Sequence, residues 1–227
     1  MPAKNSIRIY LENGYYHIYN RGVEKRDIFL EHKDYLYFLH ILKSSLSPVP
    51  NKVENLVGIR NWPQKNYFGK IDLLAYCLMS NHFHLLVRQP MSTAISEFVK
   101  SLCTRYGMYF NKKYDRSGSL FQGPFKSIDI DNENYLLWIC RYIHRNPDSF
   151  KNYPYSSYDE YLGNRNTSWI NTKIILDYFS SNPLKKKQNF IEFTEDIKNE
   201  SSANIDMDLY SLESEIENSL SWLDMQG

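Results

Sequence analysis

In the run Ser80-Asn81-His82-Phe83-His84-Leu85-Leu86-Val87 a histidine stands at every second position. Alternate side chains of a β-strand share a face, so His82 and His84 point one way and Phe83 the other. Two imidazoles side by side make half of a metal site. Further on, in Trp138-Ile139-Cys140-Arg141-Tyr142-Ile143-His144-Arg145-Asn146-Pro147, Tyr142 and Asn146 stand four apart on a predicted helix and share its face. A histidine pair for a metal, a phenol as nucleophile and an amide oxygen as a further ligand are what breaking a phosphodiester bond with a tyrosine requires. Each signal alone has a plainer reading. A His-x-His pair can be ordinary strand packing. Tyr135, Trp138, Tyr142 and Asn146 fall at a spacing more often used for core packing. An asparagine before Pro147 is a common helix end. Their coincidence carries the functional expectation.

These residues need elements to hold them. Tyr15 to Asn20 is rich in aromatic and β-branched residues and reads as a strand, closed by the turn Asn20-Arg21-Gly22. His32 to Leu46 has apolar residues at helical spacing, stopped by Pro48 and Pro50. The segment 48–70 lacks a clean period and is expected to be an insertion loop. Ile71 to Leu78 and His82 to Gln89 form a hairpin around Met79-Ser80-Asn81. Ser92 is the expected N-cap of a helix from Ala94 to about Asn111, with Ile95, Phe98, Leu102, Tyr106 and Tyr109 as its buried stripe. Phe125 to Ile130 reads as a strand, and Asp131 or Asn132 caps the helix that ends near Asn146. This order predicts an α+β domain over 1–152, a ferredoxin-like antiparallel sheet with helices packed on one face. Residues 153–227 read as a mostly helical C-terminal extension. It starts with the extended aromatic segment 153–158, continues with short helices over 169–179 and 188–198, and ends in an acidic, partly disordered tail.

A hydrophobic fraction of 42% and a charged fraction of 23% in 227 residues fit a globular protein. No apolar run reaches the length of a membrane span, and residues 1–9 lack a signal-peptide core. Cys77, Cys103 and Cys140 are widely spaced with no Cys-x-x-Cys, the pattern of free buried thiols in a reducing cytoplasm. The net charge of +1 says nothing about nucleic acid, because acidic residues from Glu192 onward offset a basic cluster. That cluster is Lys100, Arg105, Lys112, Lys113, Arg116 and Lys126, with Asp115 the one acid among them. Arg141 and Arg145 add charge to the helix of Tyr142. Arg105, Lys112, Lys113, Arg116, Lys126, Arg141 and Arg145 are the expected phosphate contacts, with Phe121 and Phe125 as stacking platforms.

Asn20-Arg21-Gly22, the run Met79 to Val87, Gly118-Ser119-Leu120-Phe121-Gln122-Gly123-Pro124-Phe125-Lys126-Ser127, and Tyr142 to Pro147 followed by Tyr153 to Tyr158 resemble the HUH single-tyrosine transposases, most closely the REP-associated tyrosine transposases. The resemblance spans about Tyr15 to Gly163. It implies a single-stranded DNA endonuclease and strand transferase on a ferredoxin-like sheet. His82, His84 and Asn146 would hold the metal and Tyr142 would be the nucleophile, with Tyr106 and Tyr109 as second choices. The implied product is a 5′-phosphotyrosine link, and the implied substrate is single-stranded DNA with hairpins or imperfect palindromes. Two imidazoles and an amide leave Mg²⁺ and Mn²⁺ open, with Mn²⁺ the better chemical fit. The protein would act as a monomer or homodimer. The alternative is a non-catalytic single-stranded nucleic-acid-binding module derived from such an enzyme. A metal-dependent hydrolase of small molecules would leave the basic loop without a role.

Overall fold

Strand β1 (Tyr15–Arg21) sits near the middle of a four-stranded antiparallel sheet, between β3 (His82–Arg88) and β4 (Lys126–Ile130), with β2 (Asp72–Leu78) outside β3. This computed structural model describes residues 10–48, 65–91 and 93–196. Helices α1 (His32–Leu46), α2 (Ala94–Lys113) and α3 (Glu133–Arg145) complete the strand–helix–strand–strand–helix–strand order and its following helix. Then come α4 (Tyr158–Leu162), α5 (Lys173–Leu176) and α6 (Pro183–Glu195). Element order and the sheet order β2-β3-β1-β4 make the fold α+β and ferredoxin-like, as the periodicities predict. Most of the segment expected to be an insertion, residues 49–64, and the acidic tail from 197 onward lie outside the described residues.

The helices do not all pack on one face, which corrects the sequence expectation. On the first face Ile18, Phe83, Leu85 and Val87 meet α1 through Phe38, Ile41 and Leu42, and α2 through Ile95, Phe98, Leu102 and Tyr106. On the second face Ala75, Cys77 and Leu86 meet Leu136, Ile139, Cys140 and Ile143 of α3. The reason lies in β2 and β3, whose central residues are buried on both sides. A strand that is apolar on both faces needs cover on both. Burying Leu136, Ile139 and Ile143 contributes about 1.5–3 kcal/mol each before entropy is counted.

The chain beyond Asn152 packs into this second layer through Tyr158, Tyr161, Ile175 and Phe190. It also closes the open edge of β2. Leu78 N donates to Tyr155 O at 2.9 Å, and Ser157 N donates to Tyr76 O at 3.0 Å. An exposed strand edge would otherwise invite pairing with other chains. The helix expected over 169–179 shortens to α5, and α6 starts at Pro183, ahead of its predicted start. The run Lys185-Lys186-Lys187 masks the apolar period there.

Local signals explain the other ends. Glu31 and Asp34 cap α1 reciprocally. The expected cap Ser92 of α2 lies outside the described residues, and Gln89 serves instead, its Oε1 accepting from Ile95 N at 2.9 Å. Asn132 caps α3 by accepting from Tyr135 N at 2.8 Å. Cys77, Cys103 and Cys140 are free thiols. Burial pushes Cys103 and Cys140 up to about 12. Among the described residues no helix is long and apolar enough to cross a membrane.

Candidate active site

Strand parity places His17, Tyr19 and Arg21 of β1 on the second face, together with His82 and His84 of β3. Tyr19 pairs with His84 and Arg21 with His82. The His82 and His84 rings lie 4.9 Å apart and nearly perpendicular, at 88°. Helix α3 crosses this face and brings Tyr142 over the imidazoles. Its ring centroid is 5.6 Å from that of His84 and 6.0 Å from that of His17, edge to face with both. Asn146 follows one turn later. Its backbone stays helical (φ −55°, ψ −40°) before Pro147 stops the helix, so its side chain remains on the face of Tyr142. Asn146 Oδ1 lies 3.2 Å from His82 Nε2. The tertiary structure thus brings together His82, His84, Tyr142 and Asn146.

The donor set fits a hard or borderline divalent cation. His82 Nδ1 lies 2.6 Å from Asn81 Oδ1, while Asn81 Nδ2 donates to Lys25 O at 3.3 Å. With the His82 proton on Nδ1, the Nε2 lone pair faces the Asn146 carbonyl oxygen, two acceptors across a gap that a cation would fill. Their separation is close to the edge of an octahedron with metal–ligand bonds of about 2.1 Å, roughly 3.0 Å. His84 Nε2 is buried and has no hydrogen-bond partner among the described residues, as a ligand nitrogen would be. Burial, then the nearby His82, holds His17 down to about 3. Burial, then His82 and His17, holds His84 well below the usual imidazole range. Both rings are therefore neutral at pH 7, the form that ligates metal. Among the described residues no group of three His, Cys, Asp or Glu is placed to hold a metal ion by itself. Two imidazoles and an amide oxygen suit Mn²⁺ or Mg²⁺ better than zinc, which favours more nitrogen and sulfur ligands.

The expected phosphate contacts separate. Lys126 lies on β4 in register with Tyr19, on the face of the histidines. Arg145 lies near the Phe150 ring, at 6.0 Å, just past Tyr142. Lys112 is exposed at the end of α2. Arg116 donates to Asn111 Oδ1 at 3.0 Å. Arg105 and Lys113 belong to the helical layer across the sheet. Arg105 donates to the hydroxyls of Ser44 and Ser45, each at 3.1 Å. Lys113 Nζ lies 2.5 Å from the buried Asp34 carboxylate and 2.6 Å from Glu31. Arg141 is 2% exposed, donates to Asp196 O and lies over the Trp138 ring at 4.6 Å. Its placement beneath α6 keeps it from any strand of nucleic acid, which corrects the expectation for that residue. Tyr106 is fully buried in the first layer, where its hydroxyl donates to Ile28 O, and Tyr109 bonds Asp34. Neither faces the imidazoles.

Sequence reasoning missed three contributors to this face: His17, Arg21 and Gln122. The period-2 pattern of β1 already put His17 on one face with Tyr19 and Arg21, but only the register shows that this is the face of His84. Arg21 lies beside His82, and its NH2 donates to Gln122 Oε1 at 3.1 Å. Gln122 is presented by the loop that leads into β4 and pairs with the end of β1, with Val23 N donating to Leu120 O and Gln122 N to Arg21 O. Gly118 and Gly123 sit in that loop with φ of 85° and 73°, where a side chain would be strained.

Residues 64–146 match the family model described as transposase IS200-like. The match contains both histidines, Tyr142 and Asn146. This segment is similar to the IS200-like transposases over that stretch. Among solved structures, that of a REP-associated tyrosine transposase bound to a REP hairpin superposes with a TM-score of 0.51 at 13% identity, over 70% of this chain and 86% of that one. The fold shared with that structure is the antiparallel α+β sheet with its helices. A candidate transposase from Deinococcus radiodurans R1 gives a TM-score of 0.35 at 15% identity, over 63% of this chain and 95% of that one. No curated protein matches the chain.

Proposed function

We propose that the protein is a metal-dependent single-stranded DNA endonuclease and strand transferase, a transposase that cuts through a 5′-phosphotyrosine intermediate. The observation that carries this reading is the position of Tyr142, half-buried with its ring against His84 and one helical turn from Asn146. A phenol sealed in the hydrophobic interior, as Tyr106 is, would not serve.

His82, His84 and Asn146 would hold the cation, Mn²⁺ or Mg²⁺. When bound there it supplies charge neutralisation at the scissile phosphate and polarises its oxygens. The remaining chemistry belongs to the chain. Helix α3 fixes the Tyr142 Oη for in-line attack on phosphorus, which offsets much of the entropic cost of a bimolecular encounter. The Tyr142 hydroxyl loses its proton to solvent as the O–P bond forms. The P–O3′ bond breaks, and the leaving 3′-oxygen takes up a proton. The downstream strand stays attached through its 5′-phosphate. A 3′-hydroxyl from another end then attacks the phosphotyrosine and restores the Tyr142 hydroxyl, so rejoining needs no external energy source. Lys126 and Arg21 flank the face and would hold the phosphates of the strand. The hairpin in the REP-associated neighbour supports a hairpin-forming single strand as the substrate.

The test is Tyr142→Phe incubated with a hairpin oligonucleotide and Mn²⁺. The wild type is expected to form covalent protein–DNA adducts visible on a denaturing gel. The variant is expected to form none while still binding the hairpin. Adducts that persist undiminished in Tyr142→Phe would remove Tyr142 from the nucleophile's role.

A further inference from the structure

His17 is the least expected residue on the sheet. It is 0% exposed, in the middle of β1, with Leu86 and Ile128 as its register partners. A buried imidazole among apolar neighbours is costly unless it bonds to something. Its partner is a ring the functional reading already uses. His17 Nε2 lies 2.8 Å from His84 Nδ1, with the two rings 5.0 Å apart and inclined by 21°. The contact crosses the strand pair diagonally, since His17 stands opposite Leu86 and not opposite His84.

One proton lies between these nitrogens. If His17 donates it, the single proton of neutral His84 must sit on Nε2, pointing into the site, where it would repel a cation. If His84 donates from Nδ1, its Nε2 presents a lone pair to the site. Either arrangement leaves one buried nitrogen of each ring without a partner among the described residues, His17 Nδ1 and His84 Nε2. The apo protein therefore gains little from choosing, and a cation against His84 Nε2 selects the second. We propose that His17 is a positioning residue that accepts the His84 Nδ1–H, fixing the tautomer and ring orientation in which His84 binds metal. The inference rests on the metal reading above and adds a residue to it. It gives His84 the counterpart of what Asn81 Oδ1 does for His82 at 2.6 Å. Metal-bound histidines almost always donate their second ring N–H to such an acceptor, and losing it typically weakens metal binding by about 10–100-fold.

Mn²⁺ affinity, read from the electron paramagnetic resonance signal of free Mn²⁺, tests the proposal without DNA or turnover. His17→Phe keeps a flat ring in the core and removes the acceptor; His17→Gln keeps an acceptor oxygen. The expected result is a Kd raised about 10–100-fold in His17→Phe, with a smaller rise in His17→Gln, at comparable melting temperatures measured without metal. Equal Kd values for wild type and His17→Phe would overturn the proposal, as would equal losses in both variants that track their loss of stability. If neither variant folds, the ¹⁵N spectrum of the wild-type histidines with Mg²⁺ decides. A protonated His84 Nδ1 with a bare Nε2 supports the assignment, and the reverse overturns it. A wild type whose Mn²⁺ binding is absent, or is unaffected by His84→Ala, would instead sink the metal site itself, and His17's role with it.

Discussion

Asp34→Asn removes one charge from a buried carboxylate at which five donors converge. Oδ2 accepts from Leu30 N at 2.9 Å, Glu31 N at 3.1 Å and Tyr114 Oη at 2.7 Å. Oδ1 accepts from Lys113 Nζ at 2.5 Å and Tyr109 Oη at 3.1 Å. Asparagine has the same shape but only one acceptor oxygen, so its NH₂ must face donors on one side. Serving the two amides and Tyr114 turns that NH₂ toward Lys113, whose ammonium cannot accept. The loss is about two charge-assisted hydrogen bonds at roughly 1.5–3 kcal/mol each. Lys113 keeps Glu31 at 2.6 Å and is 24% exposed, which reduces the penalty. The expected destabilisation is about 2–4 kcal/mol, with a fall in Tm on the order of 5–15 °C for a chain of this size. Urea unfolding followed by circular dichroism at pH 7 measures it. The pH dependence is a second check. Burial pushes the Asp34 carboxyl up, but Lys113, Tyr114 and the amides of Leu30 and Glu31 outweigh it and hold it below the usual range. A carboxyl held lower in the folded state stabilises above its unfolded value, near 3.9, and loses that contribution as pH falls through its folded value. The gap between wild type and variant is therefore full at pH 7 and closes in strong acid. A variant within about 0.5 kcal/mol of wild type at pH 7, or a gap that does not change with pH, would refute the reasoning.

Asn146→Ala is expected to weaken Mn²⁺ binding at least about tenfold, while Asn146→Asp, with a charged oxygen at the same place, should bind as tightly as wild type or tighter; calorimetric titration distinguishes them. Arg21→Ala and Lys126→Ala should each lower the slope of log K against log salt for single-stranded DNA by about 0.7. Arg141→Met should leave that slope unchanged, because Arg141 lies beneath α6. Ser157→Ala removes the acceptor of Tyr76 N (2.9 Å) and the partner of the buried His144 Nε2 (2.8 Å), and should cost about 1–3 kcal/mol in urea unfolding. Wild-type stability in that variant would mean that His144 has another partner.

The parity that sets His82 and His84 on one face, the span of α1 and the one-turn offset of Tyr142 from Asn146 are all legible in the chain, because each depends on a local period of 2 or 3.6. The same is true of the strand–helix order that makes the sheet ferredoxin-like. What the chain alone could not reveal is which distant residues meet. Lys113 and Arg116 are close in sequence and both cationic, yet one is the counter-ion of Asp34 and the other bonds Asn111. Arg141 is one residue from Tyr142 and turns the opposite way, under α6. His17 reads as an unremarkable strand residue until the β1–β3 register sets it diagonally against His84. Helices on both faces answer the apolar runs of β2 and β3, which need cover on both sides, but which helix covers which face is decided only by packing. Periodicity tells which way a side chain points along its own element. Only register and layer packing, which join residues far apart in the chain, decide what it points at.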